Sequence, residues 1–262
     1  MEELSIRQRA VRELLARQQW VDGVVLFVAL LAGWLIASWM FGSQVLPSPL
    51  QTLKQLMYEV RDPDFPANLM TTVKAFATAL LIAVVGGIAT GLVLGARRLA
   101  GDVMEPILLT LYSIPKIALY PVILLIFGLD ISAKIAFGVI HGIIPIVIFT
   151  MTAVRNIPLV YLRSSRAYRL TPYQSALYIL IPATVPEIVA GLRIGFSLTL
   201  LGTLLGEMFA SQRGIGHSLM RAMDRNEVAT IMALALMLFM FATIVSVGLL
   251  RWERSGRSAK IS

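Results

Sequence analysis

Four ionisable side chains and one serine lie within or beside long apolar stretches of this 262-residue chain, where polar groups are costly. These residues are Ser113, Lys116, His141, Arg193 and Glu207. The cationic side chains suit contact with an anion, and a histidine together with a carboxylate is the kind of pair that relays protons. The chemistry that the sequence offers is therefore binding of a charged solute or of protons at membrane depth.

Each of these residues also has a structural explanation, and the sequence leaves both open. His141 can face a pathway, or it can bond to a carbonyl that Pro145 leaves free. Lys116 can line a cavity or snorkel, and Arg193 can meet an anion, pair within the bundle or reach the inner surface. Glu207 can take part in gating or join helices by hydrogen bonds.

Other kinds of chemistry have little support in the sequence. The chain has no cysteine and only two histidines, and no cluster of His, Asp and Glu has metal-ligand spacing. No glycine-rich phosphate loop with its lysine is present, so any ATP must be hydrolysed by another subunit. An intramembrane enzyme acting on lipids stays a rival hypothesis, but the chain supplies few acid and base residues that could converge.

The composition predicts an all-α membrane protein. Hydrophobic residues make up 57% of the chain and charged residues only 15%. The run at 24–41 has 18 residues without a charge, close to the length that crosses a bilayer, and no cleavage site of a signal peptide follows it. We expect six spans, at about 22–41, 67–96, 103–128, 132–154, 183–208 and 227–250.

The net charge of +8 follows the topology of these spans. Most lysines and arginines fall in the arm at 1–21, the connections at 97–98 and 155–169, and the tail. The excess of basic residues on one side of short loops predicts that both termini and the 159–181 loop are cytoplasmic. No basic and aromatic face of the kind that binds nucleic acid is apparent.

Local signals predict further elements. Residues 1–21 form a basic arm, expected as a short helix at the cytoplasmic surface. Ser48, Pro49 and Gln51 have the pattern of a helix start, and the apolar residues that follow share one face, so we expect an amphipathic helix resting on the outside of the bundle. These residues are Leu50, Leu53, Leu56, Met57 and Val60.

Two patterns concern the packing and shape of the spans. Glycines recur every four residues at 87, 91 and 95, and again as the pairs 191/195 and 202/206. Such stripes let helices approach closely, either within the chain or across a dimer seam.

Prolines interrupt the third span after Ser113, and breaks of this kind face protein or a water-filled cavity. Without an evident repeat, we expect one membrane domain at 22–252 and a cytoplasmic tail at 253–262.

The polar loop at 159–181 carries two helix signals between two spans. One short helix is expected from Leu159 to about Arg169. Thr171, Pro172 and Gln174 then form a second start signal, with a capping threonine and a Gln that completes a capping box. Pro182 is expected to end this second helix. A helix pair exposed to water suggests a docking surface for a soluble partner, although a plain solvated connector is the alternative.

At this loop the chain resembles the membrane subunits of binding-protein-dependent ABC importers. Their loop carries Glu-Ala-Ala, then Gly, and ends in Leu-Pro. The resemblance continues through PATVPEIVAGLRIGFSLTLLGTLLGEMFASQRGIG at 182–216, LPSP at 46–49, SIPKIALYPVILLIFGLD at 113–130 and LRWER at 250–254. It covers about residues 20–255 and is closest to the sulfonate, taurine and nitrate branch. It implies the type I importer permease fold, with a cytoplasmic coupling helix pair.

The resemblance assigns ATPase coupling to one continuous segment. Its residues are Arg163, Ser164, Ser165, Arg166, Ala167, Tyr168, Arg169, Leu170, Thr171, Pro172 and Tyr173. Arg163 stands where the family has Glu, which implies a different charge pattern in the ATPase groove. Arg169 stands where the family has Gly, and a glycine would ease a left-handed turn there.

The resemblance also implies the function and the partners. The chain would be the permease subunit of an ATP-driven importer in a bacterial inner membrane, moving a small, anionic solute by alternating access. Its partners would be an ATPase dimer that holds ATP and magnesium, a second permease copy, expected as a homodimer, and a periplasmic or lipid-anchored binding protein. The chain itself would bind no cofactor and catalyse no reaction. An ion-coupled secondary transporter using His141 and Glu207 is the alternative.

Overall fold

The computed structural model describes the backbone of residues 2–258. The described side chains exclude those of residues 1–17, 19, 20, 162, 164, 166, 172, 176, 210 and 254–258. The predictions for the side chains of Ser164, Arg166 and Pro172, and for the tail at 259–262, therefore lie outside the described residues.

The described residues form helices and no strands, which confirms the all-α prediction. The helices are α1 (Glu2–Phe41), α2 (Pro49–Arg61), α3 (Phe65–Ala96), α4 (Arg98–Ser113), α5 (Tyr120–Phe127), α6 (Ile131–Arg155), α7 (Leu159–Ala167), α8 (Pro172–Ser175), α9 (Ile181–Ala210), α10 (Ile215–Asp224) and α11 (Val228–Ser258). A 3₁₀ turn at Lys116–Leu119 precedes α5, and a π-helical turn at Ala176–Leu180 joins α8 to α9.

Five stretches among the described residues are long and apolar enough to cross a membrane. They are Val21–Phe41, Phe65–Ala96, Ile131–Arg155, Tyr173–Phe209 and Val228–Glu253. The pair α4 and α5 makes a sixth candidate that is bent by 87° at the prolines. The predicted arm at 1–21 is no separate surface helix, because α1 runs without a break into the first span.

The contacts of the bent pair with α6 indicate that it crosses the bilayer. Midway along α4, Glu105 bonds to Arg155 at the end of α6, at 2.8 Å between Oε2 and Nη1. At the start of α5, the ring of Tyr120 packs on Phe137 in the first half of α6, with 5.0 Å between ring centres. These two levels of α6 are about 27 Å apart, which is close to the thickness of the hydrocarbon. Six crossings place the start of α1, the end of α11 and α7 at the same end of the bundle.

The centre of the fold is α6, which packs closely against α3 and α9 through glycines. An added Cβ at Gly87 would lie 2.7 Å from Ile146, and one at Gly95 would lie 2.7 Å from Val154. On the other side, a Cβ at Gly202 would lie 2.7 Å from the carbonyl oxygen of Phe137. In lipid, small residues of this kind let helices gain dispersion contacts. The glycine stripes therefore pack within the chain, as one of the two sequence interpretations proposed.

The amphipathic helix α2 begins as predicted and packs on the bundle through its polar face. Ser48 and Gln51 form the capping box, with bonds of 2.9 and 3.3 Å. The buried residue of α2 is Thr52, whereas Leu50 and Met57 are 62% and 55% exposed. The helix rests on the bundle as predicted, and it does so through its polar face, because Thr230 of α11 lies there and bonds to Gln55 and Glu59.

We predict that Gly91→Ala destabilises the protein, because the new methyl would lie 2.6 Å from Cβ of Thr150 and 2.8 Å from the carbonyl oxygen of Val147. Overpacking of this kind lowers the free energy of unfolding by about 1–3 kcal/mol. The measurement is thermal unfolding of the purified protein in detergent. Gly248→Ala is the matched control, because nothing lies within 4 Å of the added Cβ. Equal losses in both variants would contradict this account of the packing.

Candidate functional site

The first helix of the polar loop, α7, ends in a left-handed residue. Arg169 has φ +50, and the amide of Leu170 donates to the carbonyl oxygen of Ser165 at 3.0 Å. This bond across six residues is a Schellman stop, which favours glycine at the left-handed position. The strain predicted for an arginine in place of the family's glycine is therefore present in the backbone.

The second helix, α8, starts as the sequence predicts. The hydroxyl of Thr171 accepts from the amide of Gln174 at 3.3 Å, and Oε1 of Gln174 accepts from the amide of Thr171 at 3.0 Å. The two helices are tied together, since the hydroxyl of buried Ser165 lies 2.8 Å from that of Ser175. The helix caps at the junction and the bond between Ser165 and Ser175 hold α7 and α8 together. We call this helix pair, residues 159–175, the elbow.

The second helix does not end at Pro182, which corrects the sequence prediction. After four residues of α8 the chain widens into the π-helical turn and then continues as α9. Proline lacks an amide proton and crowds the preceding turn, and Pro182 sits in the first turn of α9, where that costs least. The loop is thus continuous with a long span.

The outer surface of the elbow is aromatic and basic. Tyr168 is 78% exposed and Tyr173 is 75% exposed. Arg163, Ala167, Arg169 and Thr171 are also exposed, and Leu170 is half-buried. Exposed tyrosines beside arginines are the residue types that anchor protein interfaces.

Twelve residues into α9, Arg193 lies in a groove between α9, α4 and α11. Its Nη2 lies 3.4 Å from Oε2 of Glu253 near the end of α11. A cavity of about 420 Å³ borders it, lined by Tyr112, Arg193, Ile194, Ser197, Leu198 and Ser246. The pairing within the bundle that the sequence allowed is present, and the arginine also lines an open, partly polar cavity.

The break in the third span places a second cation near this groove. Nζ of Lys116 donates to the carbonyl oxygen of Tyr112 at 3.0 Å and lies 5.1 Å from the centre of its ring. Ser113 is exposed and its hydroxyl donates to the carbonyl oxygen of Leu109 at 2.9 Å. Tyr112 thus contacts Lys116 and lines the same cavity as Arg193.

His141 is buried between α6 and α9. Its Nδ1 lies 2.8 Å from the carbonyl oxygen of Phe137, and a carbonyl only accepts, so Nδ1 donates. The carbonyl that Pro145 leaves free belongs to His141 itself, so the bond is not the one that the sequence suggested. The histidine ring also packs edge-on against Phe137, with 4.5 Å between ring centres.

Glu207 is fully buried and joins three helices. Its Oε2 accepts from the hydroxyl of Thr72 on α3 at 2.8 Å and from the amide of Gly216 at 2.9 Å. The hydroxyl of Thr72 accepts in turn from the amide of Ile215 at 2.8 Å. Free amides at a helix start favour negative charge, so this carboxylate caps α10. The helix-joining interpretation of Glu207 accounts for these bonds.

The sequence profile of the family described as "binding-protein-dependent transport system inner membrane component" matches residues 83–252. The chain belongs to this family. The resemblance inferred from the loop and its neighbouring motifs is confirmed, and the protein is an ABC importer permease of the nitrate, sulfonate and taurine branch.

Similar proteins support this placement over most of the chain. A nitrate import permease, NrtB of Synechococcus elongatus, is 30% identical over 74% of this chain and 73% of its own length. The taurine transport system permease TauC of Escherichia coli is 24% identical over 97% and 94%. The putative aliphatic sulfonates transport permease SsuC of Bacillus subtilis is 22% identical over 94% and 93%.

Sequence reasoning missed several partners that this ABC permease uses at the end of the bundle near Glu207. Asn68 accepts from the amide of Gly214 at 3.0 Å, and buried Lys134 donates to the carbonyl oxygen of Arg213 at 3.1 Å. Tyr120 donates to the carbonyl oxygen of Gly206 at 2.9 Å. Asn68 and Thr72 are one turn apart in an apolar span, a spacing that could have indicated a polar contact.

The same end of the permease holds one histidine outside the spans. Burial, followed by the positive charges of Arg221 and Lys134, lowers the pKa of His217 on α10. Its imidazole is therefore neutral at neutral pH. Among the described residues, no group of three or more His, Asp or Glu side chains is placed to hold a metal ion.

We predict that Arg169→Gly stabilises the elbow, because glycine adopts the left-handed conformation without the cost of about 1–2 kcal/mol that a side chain adds. Slower hydrogen exchange at the amide of Leu170 is the measurement. Arg163→Gly, the change of another exposed arginine inside α7, is the control and should lower local stability by about 1 kcal/mol. Faster exchange in Arg169→Gly would refute the Schellman stop.

Proposed function

We propose that this permease moves a small anionic solute into the cell by alternating access, driven by ATP that a separate subunit hydrolyses. One observation carries the proposal: the second half of the elbow, which holds Tyr173, and Arg193 belong to one continuous helical segment, from Pro172 through α9. A displacement at the elbow would reach the groove about 18 Å along α9 without a flexible joint.

The elbow is the proposed contact with the ATPase. Tyr168 and Tyr173 provide apolar area with few rotatable bonds, and Arg163 and Arg169 provide charge around it. An amphipathic helix seated in a groove is a common recognition mode. We place this end of the bundle in the cytoplasm, since the basic residues of the arm and of the 155–169 connection collect there.

The proposed assembly follows the family. Two permease copies would form the pathway, expected as a homodimer, over two ATPase subunits that hold ATP and magnesium. A binding protein would deliver the solute at the opposite end, in the bacterial inner membrane. ATP binding would bring the two elbows together and open the cavity outward, and hydrolysis would return it inward. Nucleotide thereby shifts the populations of two states.

The groove at Arg193 supports an anionic solute. Arg193 lines the cavity, Lys116 contacts Tyr112 in its wall, and Ser197 and Ser246 add hydroxyl groups. Nitrate and the sulfonate group of taurine, named for relatives, share oxygen atoms that carry negative charge. A planar guanidinium bonds such groups with two parallel donors. Glu253 would hold Arg193 until an anion takes its place.

We predict that Tyr168→Glu lowers uptake more than about tenfold, because loss of an interface hot spot costs about 2 kcal/mol or more. The variant should insert normally and the ATPase should remain active but uncoupled. The measurement is solute uptake and ATP hydrolysis in vesicles that contain the complete transporter. Met223→Glu, 51% exposed at the opposite end, is the control that adds the same charge. Unchanged uptake in Tyr168→Glu would remove the elbow from the coupling proposal.

We predict that Arg193→Gln lowers the maximal uptake rate by about tenfold, the effect of losing about 1.4 kcal/mol at the pathway. The affinity of the binding protein for its solute should not change. Lys74→Gln, the change of an exposed lysine on α3, should leave uptake intact.

Uptake by the unchanged transporter should need internal ATP and should survive an uncoupler. If the uncoupler alone abolished uptake at constant ATP, the ion-coupled alternative would replace this mechanism.

A further inference from the structure

The face that α2 turns away from the bundle is apolar. Leu50, Leu53, Met57 and Val60 are 62%, 42%, 55% and 49% exposed. The bundle side is polar instead, because Nε2 of Gln55 donates to Oγ1 of Thr230 at 3.2 Å and that hydroxyl donates to Oε1 of Glu59 at 3.0 Å. The apolar stripe of α2 therefore faces away from the bundle and can contact lipid or another protein.

The start of α2 lies at membrane depth. The indole of Trp34 in α1 donates to the carbonyl oxygen of buried Pro47 at 3.0 Å, directly before the cap of α2. Trp34 is seven residues before the end of α1 at Phe41, which is about 10 Å along the helix. The chain therefore turns back at Gly42, where φ is +81, and α2 begins below the level at which α1 ends.

The border of the stripe is cationic. Lys54 and Arg61 are exposed and follow the apolar residues around the helix, and Tyr58, 76% exposed, lies beyond them. Basic and aromatic residues beside an apolar face are typical of a helix at the boundary of acyl chains and phosphates. A two-fold contact between copies through this face would instead bring like charges together.

We propose that α2 is an interfacial anchor: its apolar stripe lies in the phospholipid bilayer at the acyl–headgroup boundary, and Lys54 and Arg61 contact lipid phosphates. Through Gln55 and Glu59 the anchored helix holds the start of α11 at a fixed depth. The anchor concerns the lipid contact alone and is independent of the transported solute and of the energy source.

The chain has no cysteine, so single cysteines report on single positions. Met57→Cys, labelled with a small fluorophore, is compared with Asp224→Cys on exposed α10. The sample is the complete transporter, carrying the label, in vesicles of phosphatidylethanolamine and phosphatidylglycerol. We expect phospholipids with a nitroxide near the headgroup to quench the Met57→Cys label several-fold more than the Asp224→Cys label. Iodide in the water should give the reverse order. Leu50→Cys replaces Met57→Cys if that variant does not assemble.

Two results would overturn the anchor. One is iodide quenching of the Met57→Cys label as strong as that of the Asp224→Cys label, which would place the stripe in water. The other is an oxidative cross-link between two copies of Met57→Cys, which would make the face a contact with a second chain. The charge contact is tested by K54E/R61E, which should shift the label towards stronger iodide quenching. An unchanged label would refute the phosphate contact.

Discussion

The close approach of α6 to α3 and α9 is the constraint on which the rest of this fold depends. Lipid tails are as apolar as leucine side chains, so burial of apolar surface drives helices together less than it does in water. Glycines at 87, 91 and 95 on α3, and at 195 and 202 on α9, remove the side chains that would hold the backbones apart. The buried His141 keeps its place in this tightly packed centre through the bond of its Nδ1 to the carbonyl oxygen of Phe137.

Around that centre, the two ends of the bundle are built differently. At one end, Glu207 on α9 and Thr72 on α3 bond to each other and accept from the amides of Gly216 and Ile215 at the start of α10. Buried groups bonded to this extent make an end that resists rearrangement. At the other end, the bracing contacts among the described side chains of the elbow are the bond between Ser165 and Ser175 and the helix caps, while its tyrosines are exposed. One fixed end and one exposed end suit a protein that is moved from one side.

The connection between the elbow and α9 gives the proposed coupling its physical form. A proline-terminated helix followed by a separate span would have a joint at Pro182, and force would be lost in bending it. The π-helical turn keeps the chain helical through the junction, so Tyr173 and Arg193 lie on one segment. π-Helical turns within α-helices occur often at functional positions. The ion pair of Arg193 with Glu253 links this segment to the end of α11.

The sequence by itself determined the number and limits of the spans, the capping boxes at Ser48 and Thr171, the left-handed demand at Arg169 and the family, because these depend on local composition and on motifs in order along the chain. Only the tertiary structure decided which face of α2 meets the bundle and which groups bond to Glu207. Those outcomes depend on groups distant in sequence, such as Thr230 beside Gln55 and Thr72 beside Glu207. In a membrane the usual inference that apolar faces pack inward fails, because lipid accepts apolar side chains and polar side chains seek partners inside the protein.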